Sequence, residues 1–333
     1  MTKRYLGNII TQNPTAPSGP YESDAAPGVW SLAEAFAYSK AGLWPTAGNA
    51  AQFAVFGGGT SSQSTVEKVD IGTLGNSSDF ATLTTSRDAY ATGNNLRALF
   101  AGGAGGDTTI DFFLYSSGGS ATDFGDLTLG RRPACLANDT RGVFGGGYNG
   151  GDVNVIDYVT IASAGNASDF GDLLAGNSGT SACASTTRGL FGGGYTGART
   201  NVIQYITIGS TGNATDFGDL TVARSQLGSL SNATRGVFVA GSDGGFTNII
   251  DYVTIGSTGN ATDFGDLTQS NSYPAAGAAS QTRGLIAGFA SSPQDTINYI
   301  TIASAGNAAD FGDLVRGRYD MGGTSNVHGG IAA

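Results

Sequence analysis

Six times the chain repeats one phrase: glycine, a turn or small residue, two small residues, then Asp-Phe. The copies end at Phe80, Phe124, Phe170, Phe217, Phe264 and Phe311, at intervals of 44, 46, 47, 47 and 47 residues. A fixed period in that range marks a repeat architecture, in which each unit buries its apolar face only by stacking on its neighbours. It also constrains function. Near-identical units make a scaffold, so specific chemistry has to sit where the units differ.

One unit runs from Leu220 to Asp266 and reads LTVARSQLGSLSNAT, RGVFVAGSDGGFT, NIIDYVTIGSTGN, ATDFGD. Each piece carries a strand signal. The first is a stretch of small residues ending in an Asn/Ala/Thr turn. The second is the apolar run Gly-Val-Phe-Val, stopped by glycines. The third, Ile249 to Ile255, is rich in β-branched and aromatic residues and has Asp251 inside it. The fourth is a very short strand around Phe264. Turn residues separate all four, as they do hairpin-linked strands. Four antiparallel strands in about 47 residues make one blade of a β-propeller. Helical repeats do not fit 55 glycines in 333 residues, since glycine inside a helix costs about 1 kcal/mol relative to alanine. Aromatics at matched positions are expected to fill the space between blades: Phe144, Phe191 and Phe238 in the second strand, Tyr158, Tyr205, Tyr252 and Tyr299 in the third.

With these residues in view, the chain resembles kelch-type propellers over about residues 49–333. The run FGGG at 56–59, 144–147 and 191–194 matches the kelch double glycine, and the tyrosine of the next strand matches as well. The DFGDL phrase sits where kelch repeats carry a tryptophan, which is phenylalanine here, so the repeat is a divergent one. The expected fold is all-β, a propeller of four-stranded blades. The glycine-run strand occurs seven times if a truncated copy at 328–333 is counted. Seven blades are therefore expected, with Tyr5–Thr11 completing the last, and six blades are the alternative.

Residues 1–48 stand outside the repeat. Residues 12–28 are rich in Pro, Gly, Ser and Ala and read as a linker. Ser31 and Glu34 then form a capping box that opens a short helix, ended by Gly42 and Pro45. Trp30, Leu32, Phe36 and Trp44 are candidate anchors on this segment, either plugging the propeller or docking it on another subunit. The opening YLGNII, the Pro/Ser/Gly stretch, GVWSLAEA and the terminal WP resemble virion structural proteins of tailed phages, nearest those of marine cyanophages. That resemblance implies a tail-associated virion component (a fibre or tail part), with other virion proteins as partners, assembled as a homo-oligomer.

Composition narrows the function classes. Net charge is −10, with lysine only at Lys3, Lys40 and Lys68, which excludes the basic surface that nucleic-acid binding needs. No stretch reaches the roughly 20 apolar residues of a membrane span. Cys135 and Cys183 lie one residue out of register in equivalent strands and are expected as buried free thiols on opposite faces. The Asn-x-Ser/Thr matches at Asn76, Asn138, Asn166, Asn213, Asn232 and Asn260 fall on repeat turns and read as turn chemistry.

An enzyme is not expected, nor any cofactor or metal. The single histidine, His328, falls at the position that holds arginine in other units and cannot build a histidine-rich metal site. The DFGD acids (Asp169 and Asp172, Asp216 and Asp219, Asp263 and Asp266) recur in most units, unlike one active site, and lack the calcium-loop pattern. They read as structural, the first capping a turn and the second pairing with the repeated Arg141, Arg188, Arg235 and Arg283. Candidate ligand contacts are in the variable loops after the glycine runs: Tyr148, Asp152, Tyr195, Arg199, Asp243 and Phe246. Aromatic and polar groups there suit a host-surface glycan or receptor, which is the second functional reading beside the virion structural part.

Overall fold

The computed structural model describes residues 33, 52–60, 63–271, 276–288 and 294–332, without the side chain of residue 271. Tyr5–Thr11 and the anchors Trp30, Leu32, Phe36 and Trp44 lie outside the described residues. Phe53–Ala332 form one unit. It is a β-propeller of six blades, each a four-stranded antiparallel sheet.

Blade 4 shows the pattern. Its strands are Ser181–Ala184, Arg188–Gly192, Val202–Thr207 and Thr215–Asp219, paired in that order. The first strands of the six blades (Gly322–Ser325, Tyr90–Gly93, Ala134–Ala137, Ser181–Ala184, Gly228–Ser231 and Ala276–Ala279) touch one another in a closed cycle and surround the axis. Residues that face the axis from their second positions are small: Gly323, Ala91, Cys135, Ala182, Ser229 and Gly277. The small-residue stretch in each repeat is what lets six strands meet there.

The count of seven blades is corrected to six. Gly322–Ser325, at the C-terminal end, pairs with Phe53–Gly57 and supplies the first strand of blade 1. The ring is therefore closed by the chain's own last strand, and residues 328–332 form no seventh copy. They turn beneath the first strands instead. His328 is not in the arginine position; Phe53 holds it in blade 1, because the chain breaks between Asn326 and Phe53 in that hairpin.

The core lies between blades. Six clusters of buried apolar residues each join two neighbouring blades. A Cβ added at Gly145 would sit 2.4 Å from the Phe191 ring of the next blade, and one at Gly192 would sit 2.6 Å from Phe238. The glycine runs thus make room for the neighbour's phenylalanine.

The DFGD phrase is the joint at the outer edge. The register of the third and fourth strands shifts between Ile156 and Asp157, which pairs Asp169 and Gly171 but leaves Phe170 as the extra residue of a bulge. Phe170 turns inward and meets Tyr158 edge-on, with ring centroids 5.8 Å apart. Gly171 has φ 144°, and a Cβ there would lie 2.6 Å from the Gly212 carbonyl of the next blade. Asn213 closes the contact by accepting the Asp172 N–H at 3.0 Å, while the Gly212 N–H donates to Phe170 O. Asn166, Asn260, Asn307 and Asn76 do the same at four other boundaries. Between blades 1 and 2 the glycine is Ala81, and Gly119–Ser120 pair in parallel with Ala81 and Thr82 instead.

The expected partnership of Arg141, Arg188, Arg235 and Arg283 with the DFGD acids is also corrected. Each guanidinium stacks on its own blade's tyrosine, Arg188 lying 4.5 Å from the Tyr205 ring centre. Each donates to a backbone carbonyl of the next blade, as Arg188 does to Ile255 O at 2.8 Å. A fixed carbonyl at the end of the third strand outcompetes an exposed carboxylate there.

The buried acid of the third strand has a different arginine. Arg131 Nη1 meets Asp157 at 2.9 Å, Arg224 Nη1 meets Asp251 at 2.7 Å, Arg87 Nη1 meets Asp111 at 2.8 Å, and Arg318 meets Glu67. These arginines precede the first strands and also donate to carbonyls at the end of the second, such as Phe144 O and Gly146 O. In blade 4 both partners change together: Asn177 replaces the arginine and Gln204 the acid. In blade 6 the acid's place is taken by Asn298, whose buried Nδ2 has no partner among the described residues.

Candidate functional site

Around the axis the described residues line a cavity of about 660 Å³, within the ~300–1,000 Å³ range of ligand pockets. It opens on the face that carries the loops between second and third strands and the linkers into the first strands. Its lower end narrows to a space of about 50 Å³ lined by Ala137, Ala184, Ser231 and Ser325. The C-terminal turn closes that end. Gly329 N–H donates to Ser231 O at 3.0 Å, and Ala332 N–H donates to Asp139 Oδ2 at 3.1 Å.

His328 anchors this turn. Its Nε2 lies 2.8 Å from Gly93 O, which only accepts, and its Nδ1 accepts the Gly330 N–H at 3.1 Å. Both bonds together require the neutral Nε2–H tautomer. Burial pulls the imidazole below its ordinary pKa, against the Gly93 bond and the nearby Asp139 carboxylate.

Chemical variety is concentrated at the mouth, two residues before each first strand. Those residues are Asp320, Asp88, Arg132, Gly179 and Gln226 in blades 1 to 5. From the buried Arg/Asn position, the linker is one residue longer in blades 1, 4 and 5 than in blades 2 and 3. The longer linkers are turned by a residue at positive φ: Asp320 (53°), Gly179 (60°) and Gln226 (59°). A non-glycine residue there carries backbone strain, which aspartate bears better than most.

Asp320 is 7 % exposed and lines the cavity, yet accepts no hydrogen bond from any described residue. Burial pushes its carboxyl up to about 6; Arg132 opposes the rise and Asp88 adds to it. Arg132 also lines the cavity and spends Nη2 on Asp88 Oδ2 at 2.7 Å. Tyr90 lies between them on the wall, its phenol pushed well above the ordinary value by burial and by Asp320. Cys135 is a half-buried free thiol on the same wall, pushed up by burial, and Cys183 is buried on the other side of its sheet.

Two of the expected loop residues reach this cavity. Tyr148 and Tyr195, from blades 3 and 4, line its rim and remain 55 % and 42 % exposed. The others do not line it. Asp152 pairs with Tyr148 and Arg199 with Tyr195 across their tight loops, and Arg199 donates to Ser242 Oγ at 3.4 Å. Asp243 accepts the Gly245 N–H within its own turn, and Phe246 stands exposed beside it. Sequence reasoning missed Asp320, Arg132, Asp88 and Tyr90. The available signal was the linker after DFGDL, whose length and charge change between repeats while its flanks do not. Among the described residues, no three His, Cys, Asp or Glu side chains come close enough to hold a metal. No protein-family model matches the chain, and no curated protein matches it.

Proposed function

We propose that the protein is a non-enzymatic, tail-associated virion component of a tailed phage whose propeller recognises a host-surface glycan or receptor through the axial mouth. The propeller is a divergent kelch-like array on this reading, and the N-terminal segment serves assembly with other virion proteins. Support for the virion frame is the opening of the chain, from YLGNII to the WP at 44–45. Support for recognition is one observation. Two exposed tyrosines and a carboxylate without a donor among the described residues flank the same cavity, at the place where the repeats differ most. Aromatic rings beside fixed polar groups are the composition of sites for amphipathic ligands.

The full chain is expected to bind host cells saturably, and Tyr148→Ala with Tyr195→Ala to weaken that binding. Gold-labelled antibody against residues 49–333 is expected to mark tails or their appendages on purified particles. Label over the head makes the protein a capsid decoration, and bare particles remove the virion assignment. Undiminished cell binding by the double variant removes the axial mouth as the recognition face.

A further inference from the structure

We propose that the axial cavity seats a neutral hexopyranose unit, with Asp320 accepting hydroxyl hydrogens from the sugar and Tyr148 and Tyr195 carrying its apolar face. This deepens the recognition reading and rests on it.

Three observations select this ligand class. The first is the unmet demand at Asp320. Asp320 is 7 % exposed as a residue, lines the cavity, and finds no donor among the described residues. A buried carboxylate without donors is costly, so an occupant that brings O–H groups is favoured there. The second is the sign of the surroundings. The one guanidinium on the cavity wall among the described residues, Arg132, is already paired with Asp88, so a phosphate or sulfate would meet two carboxylates against one spent arginine. A divalent cation would find no third acid among the described residues. A neutral polyol avoids both conflicts, donating to Asp320 while accepting from Tyr90, whose phenol stays protonated, and from the remaining N–H groups of Arg132. The third is the rim. Tyr148 and Tyr195 come from adjacent blades and stay exposed, which suits the C–H face of a pyranose.

Charge state follows from the groups that face Asp320. Among the described residues they are Arg132, which remains a guanidinium, Asp88 paired to it, and the neutral Tyr90, with the neutral Cys135 further along the same wall. The ionised carboxylate is the form that accepts from two hydroxyls. With its carboxyl at about 6, only about a tenth of the protein is competent at pH ~5, so the apparent Kd should rise about tenfold between pH ~7.5 and ~5.

The test uses the full chain in titration calorimetry against methyl hexopyranosides of the gluco, galacto and manno series and their neutral oligosaccharides. N-acetylneuraminic acid and hexose 6-phosphate serve as anionic comparators. At least one neutral series should bind, roughly tenfold weaker at low pH. Asp320→Asn keeps the residue's tolerance of positive φ. It should weaken binding about tenfold at pH ~7.5 and flatten the pH dependence, which a merely structural role would leave in place. Tyr148→Ala, at an exposed position, should weaken it about two- to tenfold. Binding of the anionic probes alone overturns the seat. So does neutral-sugar binding whose pH dependence survives in Asp320→Asn. Hydrolysis of an oligosaccharide overturns a seat that only binds. If host cells are bound equally by wild type and Asp320→Asn, but less by the double tyrosine variant, the sugar seat fails while recognition at the mouth stands.

Discussion

The buried pair of Arg131 and Asp157 offers a sharp test of how a blade is held together. Both side chains are fully buried. Asp157 also accepts from Thr128 N and Oγ1, and Arg131 donates to Leu129, Phe144 and Gly146 carbonyls. Arg131→Asn strands a carboxylate in the core and releases the Phe144 carbonyl. Breaking such a pair from one side costs ~3–5 kcal/mol, or a fall in Tm of roughly 6–20 °C at about 2–4 °C per kcal/mol. Asp157→Gln leaves an unpaired guanidinium and should cost a similar amount. The double variant copies blade 4. There Asn177 Nδ2 donates to Gly193 O at 2.9 Å, the counterpart of Gly146 O, and Gln204 Oε1 accepts from Leu174 N at 2.8 Å, the counterpart of Thr128 N. It should therefore lose only ~1–2 kcal/mol, giving a coupling of several kcal/mol in a double-mutant cycle read by urea unfolding. Distant sites add to within about 0.5 kcal/mol. Additivity at that level would refute the claim that the pair is replaced as a unit.

Three further outcomes follow from the same contacts. Asn213→Ala removes the acceptor for the Asp172 N–H across a blade boundary and should cost about 1 kcal/mol, a fall in Tm of roughly 2–4 °C. The C-terminal turn holds a neutral histidine whose folded pKa is depressed. The unfolded chain binds more protons as pH falls through about 6.5, so the turn's contribution is present above that pH and lost below it. The gap in Tm between the full chain and one ending at Asn326 should accordingly narrow below pH ~6, and a gap that widens contradicts the neutral tautomer. Asp320 has the opposite sign. Its folded pKa is raised, so the folded state is favoured below about 4 and penalised as pH rises through about 6. Asp320→Asn should raise Tm at pH ~8 and leave it nearly unchanged at pH ~4, in thermal scans.

Much of this fold is legible in the chain because propeller contacts recur with the period. The strands, their order and the inter-blade phenylalanines follow from one unit. Asp251 inside a β-branched strand signals a buried partner, although its arginine at 224 does not stand out from the repeated Arg235 nearby. Two things are not legible. Blade number depends on which terminus supplies the closing strand. Gly322–Ser325 matches the other first strands only once Asn326 is aligned with Asn138 and Asn232. The mouth is hidden because Asp320, Arg132 and Asp88, although each stands two residues before a first strand, are far apart in sequence and chemically unlike. Asp320 joins the Arg132–Asp88 pair of blades 2 and 3 only when the strand Gly322–Ser325 completes blade 1.

Closure therefore does more than remove a sheet edge. The strand that completes blade 1 is preceded by Arg318, which ties to Glu67, and by Asp320, which is aimed into the cavity. The segment that locks the ring thus also delivers to the mouth a carboxylate that has no hydrogen-bond donor among the described residues. Elsewhere most repeats agree where they touch a neighbour: the Asn latch and outer glycine recur at five boundaries, and the arginine stacks on its tyrosine in four blades. Random drift would be expected to fill the mouth with residues that cost nothing. Instead blade 1 places a buried acid at positive φ there, against both backbone preference and solvation. A position that opposes folding on two counts is better explained by what binds to it than by what it holds together.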